Sequence, residues 1–246
     1  MRILSRTAPL LIVALLWEAI TRGGLVPADM LPPFSSVAVE LVKLATGGTL
    51  LPNTLDSVAR AATGFAIAVA AGTAIGAGMA LWRGFETAAG PLVQAFYPLP
   101  KSALIPLVIV WFGLGDTAKT FLIFLGCLLP VILSTYNGLR GVDQVLVWSA
   151  RSLGASRAAV IREVLLPAAM PQILTGLRTA VAFSFLLMVS SELIIATNGL
   201  GYLIGSYGDN GAYPAMFAVI LVVTGLGFAA DRAFVALSGF LLRYRE

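Results

Sequence analysis

AATGFAIAVAAGTAIGAGMALW, residues 61–82, contains no charged side chain. A bilayer core about 30 Å thick is crossed by roughly 20 apolar residues in a helix. In lipid the backbone polar groups must be bonded within the segment, so a helix is the expected form. The same stretch places Gly64, Ala68, Gly72, Gly76 and Ala80 at every fourth position. Apolar burial does little to join helices inside lipid, and a small-residue stripe lets a neighbouring backbone come close. Packing within the chain is expected in preference to a subunit interface.

The whole composition agrees. Of 246 residues, 59% are hydrophobic and 11% charged, and the mean hydropathy is +0.93. A soluble domain carries about 25% charged residues, and a disordered chain is poor in apolar ones. Both classes are excluded. Further apolar blocks lie at 8–21, 88–113, 120–139, 179–196 and 212–242. The block at 88–113 is interrupted by Pro98, Pro100 and Lys101, and Pro130 should loosen the block at 120–139. An all-α bundle of six membrane-spanning helices is expected. The first block also has signal-peptide features, Arg2 and Arg6 before an apolar run. Trp17 and Glu18 then follow it with no small-residue cleavage site, which favours a span.

With six spans and the N-terminus in the cytoplasm, eleven arginines fall on the cytoplasmic side. Arg22, Lys43, Arg60 and Lys119 fall outside. Positive charge gathers on the cytoplasmic side, so both termini and the segment at about 140–178 are assigned there. In the outer segment 23–60, Ser35 and Ser36 are expected to cap a short amphipathic helix through Val37, Leu41 and Leu44.

Several chemistries are absent from the sequence. One cysteine, Cys127, and no histidine argue against a disulfide framework or a zinc site. No GxxxxGK[ST], GxSxG or HExxH occurs. The net charge of +4 is mild, and the cations form no aromatic-interleaved patch for nucleic acid. The chain is read as a non-enzyme, without catalytic, cofactor or metal residues of its own.

Residues 148–167, WSARSLGASRAAVIREVLLP, are the most informative. Gly154 can end a helix over 142–153 in the left-handed conformation. Ser156 can cap a second helix over 157–165, with Pro167 and Pro171 as breakers. The result is a helix-turn-helix with an apolar tip, Leu153 and Ala155, flanked by Arg151, Arg157 and Arg162. Such a tip suits a cleft on a soluble partner.

The segment resembles the EAA loop of permease subunits of binding-protein-dependent ABC importers. Ala150, Gly154, Val164, Leu166 and Pro167 match its spacing, while Trp148 and Ser149 stand where Glu and Ala are usual. LPP at 31–33, PKSALIPL at 100–107, WFGLG at 111–115, LTGLR at 174–178 and GLGYLI at 199–204 resemble the nitrate/sulfonate/taurine branch. The resemblance spans about residues 31–232 and implies a type I importer fold, a single permease domain over 1–246. It implies two permease copies joined by analogy as a homodimer, two ATP-binding cassette ATPase subunits that hold ATP and Mg, and a soluble solute-binding protein, in a bacterial inner membrane. Ala150, Arg151, Leu153, Gly154, Ala155, Ser156 and Arg157 are then the expected ATPase contact, a coupling helix. The cargo would be a small solute, expected to be an anion such as a sulfonate, nitrate or carboxylate.

A gradient-driven secondary transporter and a non-transporting assembly protein are the competing readings. No inverted repeat supports the first, and the tip argues against both. Ionisable groups inside a membrane usually face a bundle interior or a water-filled cavity. Lys101 and the stripe Ser184, Met188, Ser191 and Glu192 are therefore the candidates to line a pathway. The alternative for Glu192 is to accept hydrogen bonds from the loop at 197–201. For Lys101 it is to reach toward the headgroups.

Overall fold

Charge-free runs of this length can satisfy their backbone only by coiling, and every regular element found is helical. The computed structural model describes residues 2–27 and 29–243, without the side chains of residues 2–8 and 10. Arg245, and the side chains of Arg2 and Arg6, which entered the charge count, lie outside the described residues.

The helices are α1 (Arg2–Arg22), α2 (Phe34–Thr46), α3 (Leu50–Leu81), α4 (Arg83–Phe96), α5 (Ile105–Phe112), α6 (Asp116–Arg140), α7 (Gln144–Ser152), α8 (Arg157–Ala159), α9 (Leu166–Ile195), α10 (Leu200–Asp209) and α11 (Tyr213–Leu241). A 3-10 turn, Lys101–Leu104, precedes α5. A π-helical stretch, Val160–Leu165, joins α8 to α9. Among the described residues, α3, α6, Arg157–Ile195 and α11 are long and apolar enough to cross a membrane. Arg83–Phe96 with Lys101–Phe112, bent by 91°, is a fifth candidate. A count of six therefore needs α1, whose 21 residues supply the length.

The chain forms two compact units, Met1–Ser57 with Glu192–Leu226, and Val58–Ser191 with Gly227–Glu246. In the first, the Trp17 ring meets the edges of Phe34 and Phe217 at 5.5 and 5.7 Å, and its indole N–H donates to the Pro32 carbonyl. α2 forms as expected, and Leu44 packs with Leu200, Leu203 and Val219. Its N-terminus is not capped by the serines. Ser35 gives its N–H and hydroxyl to Glu18, at 3.0 and 2.8 Å, and Ser36 donates to Pro33 O. A carboxylate is the stronger acceptor at a helix N-terminus and displaces the hydroxyl.

The second unit is arranged around α6, whose apolar window is 56% buried against 28%, 39% and 17% for the other three long helices. The small-residue stripe of α3 packs on it. A Cβ on Gly64, Gly72 or Gly76 would lie 2.7 Å from Ile123, 2.8 Å from Val131 or 2.5 Å from the Ile132 carbonyl. α9 crosses α6 as closely, since a Cβ on Gly176 would collide with the Ser134 hydroxyl. Two groups of charges in the long helices are paired. Arg178 grips Asp231 at 2.6 and 2.9 Å, and buried Arg60 and Lys119 converge on Asp116 Oδ1 at 2.8 and 3.0 Å.

Three proline expectations met different outcomes. The 88–113 block does break near Pro98 and Pro100, whereas α6 runs unbroken through Pro130. Pro167 and Pro171 do not end the helix begun at Arg157, which continues to Ile195. The π-helical stretch just before Pro167 changes the hydrogen-bond register there. Helical rise is about 1.5 Å per residue, so this 39-residue helix runs from the tip through the apolar block as one rod.

Candidate functional site

Three features carry the candidate residues. The first is the turn after α7. Asp143 caps α7 by accepting from Val145 N–H at 2.9 Å. At the other end Gly154 N–H donates to Arg151 O and Ala155 N–H to Ala150 O, at 2.9 and 3.0 Å. Those two bonds make a Schellman turn, and Gly154 sits at φ +85° as it requires. Ser156 Oγ then accepts from Ala159 N–H at 3.2 Å. The backbone is thus satisfied locally and the side chains are left outside. Leu153 is 88% exposed and Trp148 62%, with Val145 and Leu146 also exposed beside them. Arg151, Gly154, Ser156 and Arg157 are exposed, whereas Ala150 and Ala155 are half-buried. Arg157 reaches back to the Leu81 carbonyl at 3.4 Å, linking the turn to the end of α3. The apolar contribution of Val145, Leu146 and Trp148 was missed in the sequence, though Val145 and Trp148, three residues apart on one helical face, were there to read.

The second feature is a cavity of about 580 Å³ within the second unit. Its walls are the break at 97–102, α6 around Gly126 and Pro130, and α9 from Thr179 to Ser190. Lys101 lines it, with its ammonium donating to the carbonyls of Phe96 and Tyr97 at 2.9 and 3.0 Å. Those are end carbonyls of α4, left without helical partners by the break. Thr179, Phe183, Leu186 and Ser190 supply the α9 wall. The structure brings Lys101 to this cavity but not Ser184, Met188 or Ser191. Those three are buried, and both serine hydroxyls donate back to their own helix. Ser184 borders a separate, apolar cavity of about 350 Å³.

The third feature surrounds Glu192, in the first unit. The residue is 1% exposed. It accepts from the Ser57 hydroxyl at 2.7 and 2.8 Å and from Gly201 N–H at 2.9 Å. Ser57 in turn accepts from Leu200 N–H at 2.8 Å. Asn53 accepts from Gly199 N–H, and Asn198 donates to Asp56, both at 2.6 Å. Glu192 therefore satisfies the N-terminus of α10, as its alternative reading expected. Gly199 sits at φ +111°, and a Cβ there would lie 2.5 Å from the Glu192 carboxyl carbon. Asn53, Asp56 and Ser57 were missed because their partners lie more than a hundred residues along the chain. Among the described residues, no group of three or more His, Cys, Asp or Glu could hold a metal ion.

Comparison with known proteins places the chain in a family. The taurine transport system permease protein TauC of Escherichia coli is 34% identical over 233 residues, 93% of this chain and 85% of its own. The putative aliphatic sulfonates transport permease protein SsuC of Bacillus subtilis is 33% identical over 97% of this chain and 86% of its own. The bicarbonate transport system permease protein CmpB of Synechococcus elongatus is 30% identical over 98% and 90%. A chain of the MetNI methionine ABC transporter, in inward-facing form, superposes with a TM-score of 0.68 over 81% of this chain and 99% of its own, at 19% identity. That last likeness is one of fold. Residues 64–241 match the family described as binding-protein-dependent transport system inner membrane component, and this chain is a member of it.

Proposed function

We propose that this chain is the permease subunit of an ATP-driven importer for a small anion of the sulfonate, taurine or bicarbonate type. Two copies would form the pathway. Two ATPase subunits would supply ATP hydrolysis with Mg, and a solute-binding protein would deliver cargo at the outer face. The whole of 1–246 would act as one permease domain in the inner membrane, with both termini cytoplasmic. The observation that carries the reading is the tip. Leu153 stands almost fully exposed on a turn whose backbone is already satisfied, at the end of a rod that continues through an apolar block.

Ala150 to Arg157 would contact the ATPase, with Leu153 and Trp148 entering its cleft. Trp148 replaces the usual acid, so the contact there would be apolar. Movement of that cleft would be transmitted along Arg157–Ile195 to the cavity wall at Thr179 and Ser190. This is the two-site, two-state arrangement that coupling requires.

The test is co-expression with the adjacent ATPase subunit and reconstitution with the binding protein. Co-purification and ATP-dependent uptake are expected, and absence of both rejects the reading. Single cysteines at Ser156 and Ser206 test the topology. Ser156→Cys should label from the cytoplasmic side and Ser206→Cys from the outer side.

A further inference from the structure

The cavity beside the broken helix holds a cation with no opposing carboxylate, which restricts what can occupy it. Lys101 makes no ion pair among the described residues, and no Asp or Glu lines the cavity. An ammonium has three donors. Two of them go to the Phe96 and Tyr97 carbonyls, which leaves one. Those carbonyls also fix the ammonium at the wall. Thr179 and Ser190, on the facing helix, also line the cavity, with their hydroxyls donating to the Thr175 and Leu186 carbonyls. Apart from Ser102 beside the lysine, the remaining wall is mostly aliphatic and aromatic, with Phe183, Leu186 and Leu187 on the facing helix. A charge in such surroundings is costly unless an opposite charge arrives.

We infer that this cavity is an oxyanion site within the permease itself, with Lys101 holding the anionic head and the Phe183 wall holding a short apolar tail. The inference rests on the permease reading and deepens it, since the membrane subunit would then select cargo in addition to passing it. It also ranks substrates. An ammonium on the far end of the ligand would meet apolar wall and no acid. A plain alkanesulfonate should therefore bind better than its amino derivative.

Ethanesulfonate and taurine differ by that ammonium alone and are the probes. The full-length permease in lipid nanodiscs, without binding protein, is titrated with each by calorimetry at constant ionic strength. Ethanesulfonate is expected to bind at least about tenfold more tightly than taurine, a difference of about 1.4 kcal/mol. Lys101→Met should weaken ethanesulfonate by about tenfold or more, while Lys101→Arg, which keeps the charge but not the ammonium's geometry, should weaken it less. Phe183→Trp narrows the cavity without touching the Lys101 hydrogen bonds and should weaken binding even if Lys101→Met fails to fold. No ethanesulfonate binding by wild type, equal binding of the two probes, or unchanged binding in both Lys101→Met and Phe183→Trp would overturn the site. The same nanodiscs offered the ATPase subunit test the permease reading separately. Capture of the ATPase without anion binding rejects the site alone, and anion binding without capture rejects the coupling reading alone.

Discussion

The turn at 153–156 and the knot around Glu192 solve the same problem in opposite ways. Each joins two helices through a glycine with positive φ, Gly154 at +85° and Gly199 at +111°. At the turn, the backbone hydrogen bonds come from within a few residues, and the Leu153 side chain is left exposed. At the knot, bonds come from Asn53, Asp56 and Ser57, and the central carboxylate is buried. The first is a surface held ready for something else. The second is a tertiary lock whose partners are already present. Substitutions should therefore hurt association at the turn and folding at the knot.

The largest effect is expected at Glu192. Glu192→Leu would leave the Ser57 hydroxyl and Gly201 N–H buried without their acceptor. Each such group costs about 1–3 kcal/mol, so a loss of about 3 kcal/mol or more is expected in reversible unfolding from detergent micelles. A fully stable Glu192→Leu protein would show that the knot is not a lock. Gly199→Ala comes next, because a strained φ and a Cβ at 2.5 Å from the Glu192 carboxyl act together. Backbone strain of that kind costs about 1–3 kcal/mol, and the upper end is expected here, read from the same unfolding curves.

Leu153→Asp should invert the pattern. Its unfolding free energy should move by less than about 0.5 kcal/mol, as for an exposed position. Its affinity for the ATPase subunit, measured by pull-down titration, should fall by about tenfold or more, as for a central apolar anchor. Wild-type affinity would remove Leu153 from the interface. Gly154→Ala is the mildest. Nothing lies within 4 Å of where its methyl would stand, so only the positive φ opposes it. A cost of about 1 kcal/mol is expected, smaller than at Gly199, and Gly154→Asn should cost less again. Equal costs at the two glycines would break the comparison.

Local chemistry was legible in the sequence. The charge-free run at 61–82 specified a membrane helix, because lipid offers the backbone no other partner. Gly154 and Ser156 specified their turn, because both act on residues within reach along the chain. The stripe from Gly64 to Ala80 specified a close helix contact, and α6 provides it. What periodicity could not specify is which neighbour each face meets. Buried packing and pathway lining share one polar signature in a membrane helix. Only the tertiary arrangement turned Phe183 and Ser190 to the cavity and packed Ser184, Met188 and Ser191 away from it. Only it set Ser57 against Glu192, 135 residues away. It also carried the helix through Pro167 and Pro171: a π-helical stretch shifts the register ahead of the first, and inside a packed membrane bundle neighbouring groups let a helix keep a proline such as the second.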